Sequence, residues 1–239
     1  MHYLLGHQNI KILQDPDYLQ FSLDSILVAD FLRTTQKTKT IMDVGTGVGP
    51  VPLFLSTKTS VPITGIDIQE RLIELAISNA QLNQLESQLT FKTIDFKAIN
   101  QHYKAQSFDA VISNPPFFKV SKESPLNQNE PKSMMRHELT LTLEDLIKNT
   151  AYLLKNLGTF TLIHRVDRLS EIMALLHRYE MPIKRLRFVH PKTHSEATSV
   201  LIEARNKGQE AMSILPPLYV HDDTGAYSLE VKKIFKLKE

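Results

Sequence analysis

Ile41-Met42-Asp43-Val44-Gly45-Thr46-Gly47-Val48-Gly49-Pro50 is the stretch from which the rest of the chain can be read. Ile41 to Val44 has the character of a short buried strand, and it runs directly into three of the chain's eight glycines within five residues. Glycine is needed where backbone turns sharply or approaches a ligand without a Cβ in the way. A strand that closes on such a turn marks the carboxyl edge of an open α/β sheet, where ligands bind. The spacing is G-x-G-x-G followed by Pro50. In the G-x-G-x-x-G of dinucleotide enzymes the third glycine instead lets a helix begin close to a pyrophosphate.

Outward from this corner, further short apolar runs read as strands: Ile63 to Asp67, Leu89 to Ile94, Phe108 to Ser113, Gly158 to His164, Ile183 to Val189 and Ser199 to Ala204, with the first strand spanning Thr40 to Val44. Between Gln69 and Asn83, Leu72, Ile73, Ala76, Ile77 and Ala80 recur at helical spacing and define one apolar face. Leu143 to Leu157 behaves likewise, with Gly158 placed to stop it, and Phe21 to Asp30 reads as a capped helix ahead of the first strand. Alternating strands and helices, with strands too apolar to have a wet face, predict a mostly parallel sheet covered on both sides. Only about nine residues separate Val189 from Ser199, too few for a crossover helix, so the last two strands should form an antiparallel hairpin. The expected fold is therefore α/β and Rossmann-like, with seven strands in one domain. Residues 1–38 would form an N-terminal segment, 39–206 the core and 207–239 a basic extension.

Composition narrows the function. Cysteine is absent, and the nine histidines show no spacing that would converge on a metal, so no metal site is expected. Met1 to Ile12 carries Gly6, His7, Gln8, Asn9 and Lys11 and lacks the apolar core of a signal peptide, and no apolar run is long enough for a membrane helix. A cytoplasmic protein is expected. Residues 1–118 hold 9 Lys+Arg against 11 Asp+Glu (net −2), and residues 119–239 hold 19 against 15 (net +4). A polyanionic partner would meet the C-terminal half.

Two more acids end strands. Asp67 closes the second, 18 positions beyond Gly49, where a carboxylate can accept from ribose hydroxyls. Asp95 closes the third in Thr93-Ile94-Asp95-Phe96. Asp43 before the G-x-G-x-G loop resembles the nucleoside-binding loop of Rossmann-like class I methyltransferases. That resemblance implies S-adenosylmethionine as cofactor, held by Asp43, Gly45, Gly47, Gly49, Asp67, Ile68, Asp95, Phe96 and Asn114. It also implies that a segment containing Ser22 and Asp24 covers the methionine end; helix-start electrostatics would account equally for Asp24.

Ser113-Asn114-Pro115-Pro116-Phe117-Phe118 follows the fourth strand on the same sheet edge. Consecutive prolines stiffen the chain and remove two donors, leaving carbonyls free to face the cleft. An amino nitrogen conjugated to a purine is a poor nucleophile, since its lone pair is delocalised and its pKa makes prior deprotonation implausible. Two acceptors, the Asn114 side-chain oxygen and the Pro115 carbonyl, can instead hold both amino hydrogens and turn the lone pair toward a methyl donor. Phe117 offers a face for an extruded base.

Over nearly its whole length the chain resembles the bacterial tRNA1(Val) adenine-N(6)-methyltransferases. The resemblance is carried by Phe21-Ser22-Leu23-Asp24, the glycine loop, Asn114 to Phe117, Arg136-His137-Glu138, Phe188-Val189-His190-Pro191-Lys192 and Val200-Leu201-Ile202-Glu203-Ala204. It implies a tRNA partner and methylation of the adenine beside the anticodon. Arg136 and His137 leave the polar stretch Lys119 to Pro131, expected to be a mobile loop, and either anchor that loop or touch RNA. Lys192 and His194 at the hairpin turn, together with Arg178, Lys184, Arg185, Arg187, Arg205 and Lys207, form the expected RNA footprint, extended by Lys232, Lys233, Lys236 and Lys238. The alternatives are a methyltransferase for rRNA guanine or protein glutamine, and a non-catalytic RNA-binding module on the same fold.

Overall fold

The structure, a computed structural model, describes residues 2–4, 7–15, 22–115 and 141–236. An antiparallel hairpin, β1 (His2–Leu4) and β2 (His7–Ile12), precedes helix α1 (Leu23–Phe31). The alternation then follows as β3 (Ile41–Val44), α2 (Pro50–Ser56), β4 (Ile63–Asp67), α3 (Glu70–Leu82), β5 (Leu89–Thr93), a 3₁₀ segment (Phe96–Gln101), β6 (Phe108–Ser113), α4 (Leu143–Leu153) and β7 (Leu154–Arg165). A second 3₁₀ segment (Val166–Arg168), α5 (Leu169–Arg178), β8 (Ile183–Lys192), β9 (Ser199–Arg205), β10 (Ser213–Ile214), β11 (Leu218–His221) and α6 (Leu229–Phe235) complete it.

The seven expected strands lie in the order β5-β4-β3-β6-β7-β9-β8, and β10 and β11 add to the outer side of β8 to make nine. Among these strands only β9 runs against the others, pairing antiparallel with both β7 and β8. All four residues of β3 are buried, as a strand covered on both faces requires. Ile41, Ile63, Ala110 and Ile112 pack toward α1, α2, α3 and α6, while Met42, Val44, Ile66 and Val111 pack toward α4 and α5. The order reverses at β3, which has β4 on one side and β6 on the other. A crevice opens at such a switch point, between the carboxyl ends of β3 and β6.

Three local readings need correction. Helix α4 stops at Leu153 rather than Leu157, and Leu154 is already extended, with ψ 131°. The Asn206 side chain donates to the Leu154 carbonyl at 2.8 Å, capping the helix end from a distant part of the chain, so Gly158 falls inside β7. Ser22 stands at the N-cap of α1, but its side chain makes no capping bond. The C-terminal extension is part of the core, since Leu218, Val220, Val231 and Phe235 are buried with α1. The N-terminal hairpin carries no periodic signal in its sequence. It is fastened to α3 by Asn79, which accepts from Leu13 N (2.7 Å), and by Asn83, which accepts from Lys11 N (2.9 Å). Among the described residues no helix is long and apolar enough to cross a membrane, and no group of three His, Asp or Glu side chains is placed to hold a metal.

Candidate functional site

The loop after β3 is held open by its own backbone. Gly45 N and Thr46 N both donate to Ile66 O at 2.9 Å, tying the loop to β4. Gly45 and Gly47 have φ of +72° and +55°, and a Cβ on either would meet nothing within 4 Å, so bare backbone faces open space. Gly49, at φ +84°, starts α2 with Pro50 in the first turn, where a missing N–H costs nothing. Behind the loop, Asn79 donates to Val48 O at 2.9 Å, so the N-terminal hairpin and the glycine loop share one buried asparagine.

The strand-end acids differ in how they are held. Asp67 accepts from Gly47 N and from Gln69 N, each at 3.0 Å, which fixes its carboxylate at the rim. Asp95 accepts from Lys97 N at 2.9 Å and caps the following 3₁₀ segment. Asp43 is 1% exposed, and its Oδ2 has no hydrogen-bond partner among the described residues. Burial, opposed by the nearby Thr46 hydroxyl and reinforced by the Asp67 charge, pushes the Asp43 carboxyl up to about 7. Between Asp67 and Asp95 lies a slot with apolar walls from Ile68, Ile94, Phe96 and Leu141. Gly65 was overlooked in the sequence: a Cβ there would sit 2.6 Å from both Phe91 and the Thr46 hydroxyl, so the loop can pack against β4 only over a glycine.

Across the crevice, Ser113 Oγ donates to Val44 O at 2.9 Å and locks the end of β6 to the end of β3. Asn114 follows at once, half-buried, with its Nδ2 donating to Ser25 Oγ at 2.9 Å. Ser25 lies in the first turn of α1 beside Asp24, whose carboxyl burial raises to about 6. His164 stands one residue before the end of β7, two residues beyond the level of Ser113. Its Nδ1 accepts from Arg165 N at 2.9 Å, so any proton on the neutral ring sits on Nε2. Burial and the Arg168 charge hold it down at about 4, so it is neutral at physiological pH.

One edge of the sheet therefore gathers a glycine turn, a buried carboxyl with one oxygen unpaired among the described residues, an apolar slot with acids at its rim, and a carboxamide. The methyltransferase-domain family profile matches residues 35–234. The chain belongs to this methyltransferase family. A Porphyromonas gingivalis relative named tRNA1(Val) (adenine(37)-N6)-methyltransferase is 31% identical over 198 residues, covering 81% of this chain and 76% of its own. A Phocaeicola vulgatus relative of the same name is 27% identical over 196 residues, covering 82% and 80%. A predicted O-methyltransferase from Agrobacterium tumefaciens shares the fold at a TM-score of 0.70 and 18% identity, over 89% of this chain and 95% of that one.

The methyltransferase spends much of its expected RNA footprint on its own fold. Arg185 is buried: Nε donates to Glu203 Oε2 at 2.9 Å, Nη2 donates to Phe31 O at 2.7 Å, and the guanidinium lies 4.3 Å from the centre of the Phe31 ring. Arg187 forks onto Glu230 at 2.7 and 2.8 Å and donates to Pro216 O, fastening α6 and the segment before β11. Arg178 pairs with Glu144 at 2.8 Å, and Lys184 donates to Gln209 O. Lys192 is exposed where β8 ends, at the carboxyl edge, but three strands from β6, which is about 14 Å at ordinary strand spacing. Phe117, Arg136 and His137, with the expected loop from Lys119 to Pro131, lie outside the described residues.

Proposed function

We propose that this methyltransferase moves the methyl group of S-adenosylmethionine to the exocyclic nitrogen of an adenine in tRNA, the adenine beside the anticodon of a valine tRNA. The observation that carries the reading is the place of Asn114: a half-buried carboxamide at the end of β6, across the switch-point crevice from the glycine loop. The names of the relatives point to the RNA and the base.

The crevice fits the cofactor. Asp67 has backbone donors orienting it and lone pairs left for ribose hydroxyls. The slot between Ile68 and Phe96, with Asp95 at its rim, suits an adenine ring and its amino group. Bare backbone at Gly45 and Gly47 leaves room for the amino-acid end, with Asp43 at the end of β3 beneath the loop, and Ser22 and Asp24, beside Ser25 at the start of α1, would cover that end. On this reading residues 1–38 cover the cofactor and 39–206 form the catalytic core, and the basic stretch 207–239 packs onto that core through Leu218, Val220, Val231 and Phe235. When bound, S-adenosylmethionine supplies an electrophilic methyl group on a sulfonium.

The residues of the chain then have one task, to present nitrogen to that methyl. Asn114 Oδ1 and the Pro115 carbonyl accept the two amino hydrogens, and Phe117 stacks on the extruded base. Stacking contributes about 1–3 kcal/mol, comparable with what extrusion costs. No strong base is needed, because the nitrogen becomes acidic only as the C–N bond forms, and its proton then leaves to water. Arg136, His137 and Lys192 hold the RNA. Incubation of the purified protein with labelled cofactor and total tRNA from a strain lacking the enzyme, followed by nucleoside analysis, should place label in N6-methyladenosine. Label in guanosine or in protein would overturn the assignment.

A further inference from the structure

We infer that Ser25 is a positioning residue for methyl transfer: its hydroxyl holds the Asn114 carboxamide so that Oδ1 faces the crevice. This rests on the reading of Asn114 given above.

A carboxamide has one accepting end and one donating end, of nearly the same size, and a half-turn about its last bond exchanges them. The exchange decides what the site can hold. An amino group that must be gripped by its hydrogens needs Oδ1, and an NH2 turned toward an NH2 repels it. The structure shows Nδ2 committed to Ser25 Oγ at 2.9 Å, which leaves Oδ1 for the target. The contact joins residues 89 positions apart and brings α1 against the end of β6.

The setting of Ser25 supports the role. It is 4% exposed, and the residues after it in α1, Ile26, Leu27, Val28 and Ala29, are all buried and apolar. A hydroxyl buried there without a partner would cost about 1–3 kcal/mol, so a serine in this place needs a bond. Among the described residues the side chain bonded to it is Asn114. The helix that carries it is fixed at its other end as well, since Arg185 donates to Phe31 O, one of the carbonyls left over at the C-terminus of α1. Ser113, immediately before Asn114, is fastened to Val44 O, so neither side of the Ser25–Asn114 contact can drift without breaking a second bond. A group held this way meets the requirement that a supporting shell fix the reacting one.

The test compares four variants of the full chain with its tRNA substrate: Ser25→Ala, Ser25→Thr, Asn114→Ala and the Ser25→Ala/Asn114→Ala double variant. Ser25→Ala is expected to lower kcat about tenfold, the size of one hydrogen bond to a neutral partner, while the dissociation constant for S-adenosylmethionine and the Tm stay close to wild type. Ser25→Thr, which keeps the hydroxyl, should recover most of the loss. On the Asn114→Ala background Ser25→Ala should cost nothing more, because the group it orients is gone. Should Ser25→Ala fail to fold, Ser25→Cys fills the space with a poor acceptor and should show the same kcat loss. Wild-type kcat in Ser25→Ala, or an equal further loss in the double variant, would overturn the inference, given an impaired Asn114→Ala. An Asn114→Ala enzyme with unchanged turnover would sink the underlying reading of Asn114 instead.

Discussion

The acids at the carboxyl edge of β3, β4 and β5 and the arginines of the β8–β9 flank are treated in opposite ways by the same fold. Asp67 and Asp95 are oriented by backbone N–H groups, and Asp43 Oδ2 is buried with no hydrogen-bond partner among the described residues. Two of these arginines are spent. Arg185 is locked to Glu203 and Phe31, and Arg187 to Glu230. Both groups look alike in a sequence, as charged residues in or beside short strands. What separates them is whether the fold supplies an opposite charge. Asp67 and Asp95 meet backbone N–H groups, which orient a carboxylate without neutralising it; where the fold supplies a carboxylate, the cation is part of the scaffold.

The largest effect that should follow from this contrast is at Arg185. Arg185→Ala leaves Glu203 buried and uncompensated, and it should destabilise the protein by about 3–5 kcal/mol in a denaturant titration. Replacing both partners, as Arg185→Met with Glu203→Leu, should restore most of that stability. If the single variant were instead stable and deficient only in RNA binding, Arg185 would belong to the footprint after all.

An intermediate effect is expected at Asp43, and its sign depends on pH. The folded-state value of about 7 lies above the ordinary 3.8. Below about pH 4 both folded and unfolded chains are protonated there, and no penalty arises. As pH rises toward 7 the unfolded chain ionises while the folded one keeps its proton, so stability is lost across that window and the loss is constant above it. Asp43→Asn removes the titration. Relative to wild type, the variant should gain about 3–4 kcal/mol between pH 4 and pH 8, a comparison in which any fixed cost of the new amide cancels. Its affinity for S-adenosylmethionine should fall at the same time, the trade expected when a strained acid serves a ligand. A stability difference independent of pH would show that Asp43 ionises freely in the fold.

How much of this was legible in the sequence follows from the range of each interaction. The strands, the glycine turn and the strand-end acids are set within a few residues of one another, and periodicity and spacing report them. The end of α4 was misplaced because Gly158 is a local stop signal, whereas the cap that acts comes from Asn206 across the fold. Ser25 could not be picked out, since a serine in the first turn of a helix reads as an ordinary helix-start residue until Asn114 is seen against it. Asn79 and Asn83 were hidden in the same way: their partners are on the N-terminal hairpin, which has no periodic signal of its own. The engagement of Arg185 and Arg187 in the fold was hidden for the complementary reason. Clustering along the chain measures charge density, but not how much of that charge is already neutralised.

The smallest effect sharpens the comparison on its basic side. Lys192 and Lys207 are both exposed and carry no ion pair among the described residues, but Lys192 ends β8 at the carboxyl edge, whereas Lys207 follows β9, which runs the other way, and so lies at the amino edge. If availability and edge together decide which cations meet RNA, two identical changes of charge should differ in outcome. Lys192→Ala should weaken tRNA binding a few-fold and lower the slope of log K against log salt by about 1, as the loss of one phosphate contact does. Lys207→Ala should leave both the affinity and the slope where they were. Equal losses at the two positions would mean that the RNA feels the summed positive charge of the C-terminal half rather than a site at the carboxyl edge, and the distinction between spent and available cations would then have no bearing on recognition.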